Sequence, residues 1–143
     1  MAPEAVMTTP NLRLAKYRRF DGRPLAPVSE ENKREIAEGI RAIVTAEGPV
    51  MAFRAYRLYV LASGGQRVGG GIRSQLNKVV HQEIRSGRLA AIPDGTPGAV
   101  DRTLMLPGTT PVVLRELGPR ELTEVPRSEV REVIEQLGLV LRI

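Results

Sequence analysis

"RVGGGIRSQLNKVVHQEIRSGRL", residues 67–89, sets three glycines in front of a stretch with helical periodicity. Ile72, Leu76, Val79, Val80 and Ile84 recur on one side of a helical wheel turning about 100° per residue. Ser74, Lys78, His81 and Arg85 project from the opposite side, flanked by Asn77. Glycine forms helix poorly, so regular structure is predicted from near Gly71, with Gly87 as the C-terminal cap. The polar face holds hydrogen-bonding groups and bases but no acid. The question is whether the stretch grips a phosphate, performs catalysis or lies against nucleic acid.

The glycines do not make a nucleotide loop. A P-loop needs Gly-x-x-x-x-Gly-Lys-Ser/Thr after a buried strand. Gly64 and Gly69 have the spacing, but Gly70 and Gly71 stand where Lys and Ser or Thr belong, and the preceding segment reads as helix. The glycines read instead as a helix start that permits close backbone approach, where N–H groups can hold a phosphate. His81 is the only histidine. It has neither the convergent ligands of a metal site nor the nucleophile and orienting partner of a triad. With no cysteine, thiolate metal sites and disulfides are excluded. We expect no cofactor, no metal and no enzymatic activity.

Upstream, Ser29 is a good N-cap with Glu30 and Glu31 in the first turn. Ile36, Ile40, Ile43 and Val44 then share one helical face, and "EGP" at 47–49 ends that helix. A second helix is predicted from about Met51 to Ala62, with Phe53, Tyr56, Val60 and Leu61 as its apolar stripe and Arg54 and Arg57 beside it. Residues 1–28 carry four prolines and no periodicity, so they read as an extended basic arm on which "YRRF" (17–20) can pack Tyr17 or Phe20 on the body. Downstream, "RLAAI" reads as a strand, "PDGTPG" as a turn, and "DRTLML" and "TPVVLREL" as two more strands. A last helix is predicted from Pro126, with Val130, Val133, Ile134 and Leu137 inward and Gly138 closing it. "LVLRI" is an apolar tail. Glu30, Glu31, Glu35, Glu38, Glu129, Glu132 and Glu135 read as solvated helix charges.

Three helices followed by a hairpin and a further helix predict an α+β fold. The layout is a winged helix-turn-helix: a three-helix bundle, a β-hairpin wing and a C-terminal helix over 29–143, with the arm over 1–28. In it the third helix is free to enter a groove.

Charge placement agrees. Residues 11–23 have five bases against Asp21, and residues 51–88 have seven bases against Glu83. The rest of the 143-residue chain is net acidic, although the whole is +5. Such asymmetry suits a polyanion. No apolar run reaches membrane-spanning length, and the first ten residues lack the pattern of a secretion signal; with the absence of cysteine, this leads us to expect a cytoplasmic protein without membrane contact.

"EIAEGIRAIVTAEGPV" followed by a basic second helix, "RVGGGIRSQLNKVV", a strand pair and "VVLREL" resembles a winged-helix-like domain of unassigned function. That domain is appended near the C-terminus of large bacterial superfamily 1 DNA helicases and related nuclease-like proteins. The resemblance spans roughly 33–137 and rests on Glu47–Val50 and on Arg67, Val68 and Gly69. The chain departs from the pattern at Gly71, where the family often has a base. The resemblance implies a winged fold and DNA-associated work without catalysis.

The expected DNA surface is therefore Ser74, Asn77, Lys78, His81 and Arg85, with Arg73, Arg67, Arg54, Arg57, Arg18 and Arg19 on phosphates. The wing is poor in base: between Leu89 and Gly108 only Arg102 is cationic. That feature and the apolar tail favour the competing expectation, a protein-interaction module or homodimer.

Overall fold

The computed structural model describes residues 13–93 and 102–138. The proposed arm's first twelve residues, most of the "PDGTPG" turn and the "LVLRI" tail lie outside them. The described residues form an α+β fold with four α-helices and a small antiparallel sheet of three strands. The chain order is α1 (Lys33–Glu47), β1 (Val50–Met51), α2 (Ala52–Ala62), α3 (Gly70–Arg85), β2 (Ala90–Pro93), β3 (Arg102–Met105) and α4 (Arg127–Leu137). Short 3-10 turns, Glu30–Asn32 and Leu122–Glu124, precede α1 and α4. Strand order is β1-β3-β2, with Val50 opposite Leu104 and Ala91 opposite the same residue on the other side.

One hydrophobic core joins α1, α2, α3 and the sheet; α4, expected to turn Val130, Val133, Ile134 and Leu137 inward, adds no residue to it and buries Glu129 instead. Ile36, Ile40, Ile43 and Val44 of α1 meet Ala55, Tyr56, Tyr59 and Val60 of α2 and Leu76, Val79 and Val80 of α3, with Leu89 and Leu104 closing it beside the sheet. The scarcity of aromatic residues makes this an aliphatic core, with the tyrosines of α2 supplying bulk. Gly39 lets α1 and α2 approach: a Cβ there would fall 2.6 Å from the Tyr59 ring. Truncating Leu76, which is fully buried, would cost about 2–5 kcal/mol.

Several expectations are corrected. The two-residue strand β1 stands between α1 and α2, where only a helix stop was expected. Its apolar residues pair with β3, far along the chain, so local periodicity cannot show it. "TPVVLREL" forms no named strand; its one ladder contact is the parallel bridge between Ala15 and Arg115. Phe53, Leu61 and Val130, expected inside, are exposed, and α2 instead buries Arg54. Pro126 is the N-cap of α4 rather than its first residue, and Ser29 precedes a 3-10 turn without a side-chain capping bond. The close approach expected at the triple glycine is absent among the described residues: a Cβ at Gly69, Gly70 or Gly71 would meet nothing within 4 Å.

The described part of the arm packs on the body. Phe20 is buried in the core, Leu25 N–H donates to Ala62 O at 3.0 Å, and the Tyr59 hydroxyl donates to Ala26 O at 2.7 Å. Burial first, and then Glu35, pushes the Tyr59 hydroxyl pKa up to about 12, so it remains a donor. No described helix is long and apolar enough to cross a membrane.

Candidate nucleic-acid interface

Helix α3 sets the geometry. Leu76, Val79 and Val80 point inward, which turns Ser74, Lys78, His81 and Arg85 outward within an arc of about 60°. All four are exposed, as are Arg73 beside them and Arg67 ahead of the helix. Among the described residues, none of Arg67, Arg73, Lys78 and Arg85 has an ion-pair partner. Arg85 lies in the last turn, where the helix dipole favours a cation. Asn77 is half-buried, and its Oδ1 accepts a 2.7 Å bond from the Tyr56 hydroxyl. That bond ties α3 to α2 and leaves the amide nitrogen of Asn77 for any outside contact.

The one acid of α3, Glu83, is turned inward, with its side chain 3% exposed. Arg41 Nη1 donates to its Oε1 at 3.0 Å, and Arg88 Nε and Nη2 donate to its Oε2, both at 2.9 Å. The helix thus hides its negative charge between two guanidinium groups and shows solvent an acid-free face.

The arginines of α2, in the same basic block, behave differently. Arg54 was expected on phosphate, but it is 2% exposed. Its Nε donates to Glu47 Oε1 at 2.8 Å and its Nη1 to Glu124 Oε1 at 3.0 Å. Arg57 is exposed but paired with Glu124, which is buried. Glu47 is fully buried and also accepts from the Tyr17 hydroxyl at 2.5 Å and from Phe20 N–H at 2.8 Å. Burial alone would raise the Glu47 pKa; the bonds from Arg54, Tyr17 and Phe20 outweigh it and hold the carboxyl below its usual range. The Tyr17 hydroxyl is pushed up, first by burial and then by Glu47.

This network continues into the C-terminal segment. Arg115 Nη1 and Nη2 donate to the carbonyls of Glu47 and Pro49, both at 2.6 Å, and Nη2 also donates to Glu129 Oε1 at 3.0 Å. Arg120 forms a two-pronged pair with Glu129 at 3.0 and 3.1 Å. Glu129, expected on a solvated face, is therefore a buried counter-ion, 3% exposed. Arg120, Arg115 and Arg54 lie 4.4, 4.9 and 5.9 Å from the Tyr17 ring centroid, a three-cation cage around one aromatic. The cage is invisible to sequence reading because its members are scattered between 17 and 129. The only local signal is "YRRF", whose two aromatics turn in while Arg18 and Arg19 stay exposed.

The expected site residues thus separate. Arg19, Arg54 and Arg57 line one cavity beside the arm and α2, whereas Lys78 lines a groove between α1 and α3 with Arg34, Arg41 and Arg88. The two share no lining residue. Among the described residues there is no cluster of three His, Asp or Glu suited to a metal ion. Compared with known proteins, the chain matches no family model, no curated protein and no solved structure.

Proposed function

We propose that the chain is a non-enzymatic DNA-binding protein of the winged-helix type, a regulator of or an accessory to DNA processing. The observation that carries this reading is the outer face of α3: Ser74, Lys78, His81 and Arg85, exposed and free of acid, with Glu83 neutralised behind them. The element order of helix, short strand, two helices and hairpin supports it in outline. In a winged helix the strand after the first helix joins the hairpin, as β1 joins β3 here. α3 would lie against a groove, with Arg73 and Arg67 on flanking phosphates. Arg18 and Arg19 would add phosphate contacts only if duplex DNA reached the arm's face as well. Arg54, buried between Glu47 and Glu124, is left out of this surface, while Arg57 pairs with Glu124 but stays exposed on the arm's side.

A second reading, a protein-interaction module, is favoured by exposed apolar side chains: Leu122 at 72%, Leu61 at 53% and Leu117 at 49%. A titration of labelled duplex at two salt concentrations separates the two. DNA binding through several phosphates falls steeply as salt rises, because counterions are released. The paired substitution Lys78→Ala/Arg85→Ala should weaken binding to any duplex and flatten the salt slope by about one unit for each phosphate no longer neutralised. Wild-type protein that shows no salt-sensitive binding, or a double variant that binds like wild type at low salt, returns the assignment to the interaction module.

A further inference from the structure

The arm carries a second basic face. Arg13, Lys16, Arg18 and Arg19 are exposed, and none has an ion-pair partner among the described residues. Asp21 is taken up by Arg23 at 2.8 Å. Glu116, whose N–H donates to Ala15 O at 2.8 Å, is the acid that stands next to this stretch. The cations sit on a fixed backbone: Ala15 N–H donates to Leu114 O at 2.8 Å, and the Tyr17 hydroxyl and Phe20 N–H both donate to Glu47. Helix α1 keeps this face apart from that of α3. The arm runs on to Leu25, which would stand 3.2 Å from a Cβ at Gly39, whereas Arg41 reaches across to Glu83 of α3. At about 100° per residue, Gly39 and Arg41 lie about 200° apart, on nearly opposite flanks of α1. The outer face of α3 lies further out still, so the thickness of two helices, about 20 Å, separates it from the arm. A straight duplex seated on α3 therefore leaves the arm's cations unmet.

We propose that the chain bridges two DNA segments: α3 holds one, and Arg13, Lys16, Arg18 and Arg19 hold the phosphates of a second. The inference rests on the DNA reading of α3 and adds a separate site to it. The arm's cations come from an extended stretch with no helix to enter a groove, so they meet backbone and hold the second segment without regard to its sequence. A lipid surface is a poorer match, since Leu14 is the one large apolar side chain that the arm exposes among its described residues.

The test captures one duplex with another. A duplex is fixed to beads, the full chain is added with duplex in excess, and retention of a second, fluorescent duplex is measured. Wild type should retain it, and sedimentation with free duplex should show two duplexes per chain. Arg18→Glu/Arg19→Glu, both at exposed positions, should cut retention about tenfold or more and lower the ratio to one duplex per chain, because reversed charges no longer neutralise phosphates. Lys78→Ala/Arg85→Ala should also lose retention, through the other face. Arg13→Glu/Lys16→Glu repeats the arm test at the other exposed pair and decides if the first arm variant fails to fold. A dimer that grips one duplex per copy through α3 would keep bridging in both arm variants, and that result overturns the proposal. So does a wild type that binds one duplex but retains no second, which leaves the DNA reading of α3 standing; a wild type that binds no duplex removes both. Single-stranded RNA retained where the second duplex is refused gives the arm to RNA and likewise overturns it.

Discussion

The outer face of α3 and the cage around Tyr17 use the same side chain for opposite ends. Around Tyr17, Arg54, Arg115 and Arg120 are each met by a carboxylate, and their guanidinium groups are desolvated. On α3, Arg73, Lys78 and Arg85 are solvated and unmatched among the described residues. The difference lies in where the acids sit. Glu47, Glu124 and Glu129 are sunk among the first group, and Glu83 is sunk behind the second. A basic block in the sequence therefore says little about available charge until its acids are located. Removing a cation inside the cage should cost stability; removing one from α3 should cost binding.

The largest effect tests the scaffold common to both regions. Leu76→Asp puts an unpaired charge at a fully buried position and should leave the chain unfolded, seen as the disappearance of helical circular dichroism at 25 °C. Next comes the cage. Glu47→Ala strips the acceptor from Tyr17, Phe20 and Arg54 and leaves Arg54 only Glu124, so chemical denaturation should show a drop of about 3–5 kcal/mol. Glu124→Gln should be milder, since it keeps the shape and strands less charge.

Acid should expose the same asymmetry. The Glu47 carboxyl is held below its unfolded value of 4.5, so its contribution is complete above that pH and is lost as pH falls through the depressed folded value. Acid unfolding of wild type should therefore steepen below about pH 4.5, and Glu47→Gln should flatten that limb. Lys78→Ala/Arg85→Ala should leave the acid limb in place and change stability by no more than about 0.5 kcal/mol, while still weakening duplex binding.

The smallest effect concerns the glycines. Gly71→Ala lies in helix with open space around its Cβ, so it should raise stability by a few tenths to about 1 kcal/mol. A rise in melting temperature accompanied by weaker DNA binding would show that an outside backbone or phosphate uses the space that the fold itself leaves empty. A fall in melting temperature would show that the helix start is shaped by something besides propensity.

Much of the architecture is legible because burial writes itself into helical spacing. The stripes of α1 and α3 name Ile36, Ile40, Ile43, Leu76, Val79 and Val80 as core, and each is buried. "YRRF" reads as an anchor, and Phe20 is buried. The failures share a cause. β1, the Glu129 counter-ion and the burial of Arg54 all depend on partners distant in sequence, and a buried arginine has the same one-letter signature as a solvated one. In α2 the stripe misassigns Phe53 and Leu61, because the side that meets the core accommodates Arg54 with its carboxylates instead.

The cage also bears on how the chain is made. Tyr17 waits for Glu47, 30 positions later, while Glu47 and Arg54 wait for Arg115 and Glu124, 68 and 70 positions on. A nascent chain that has emerged only through α3 holds the helices of the core and the Glu47–Arg54 pair, but not Glu124, Arg115 or Arg120, which complete the cage. The cage around Tyr17 therefore closes only after Arg120 is made, and a ribosome stalled before Arg115 should hold a species whose arm is anchored at Phe20, Leu25 and Ala26 yet still cut by a protease near Ala15, which lacks its bridge to Arg115.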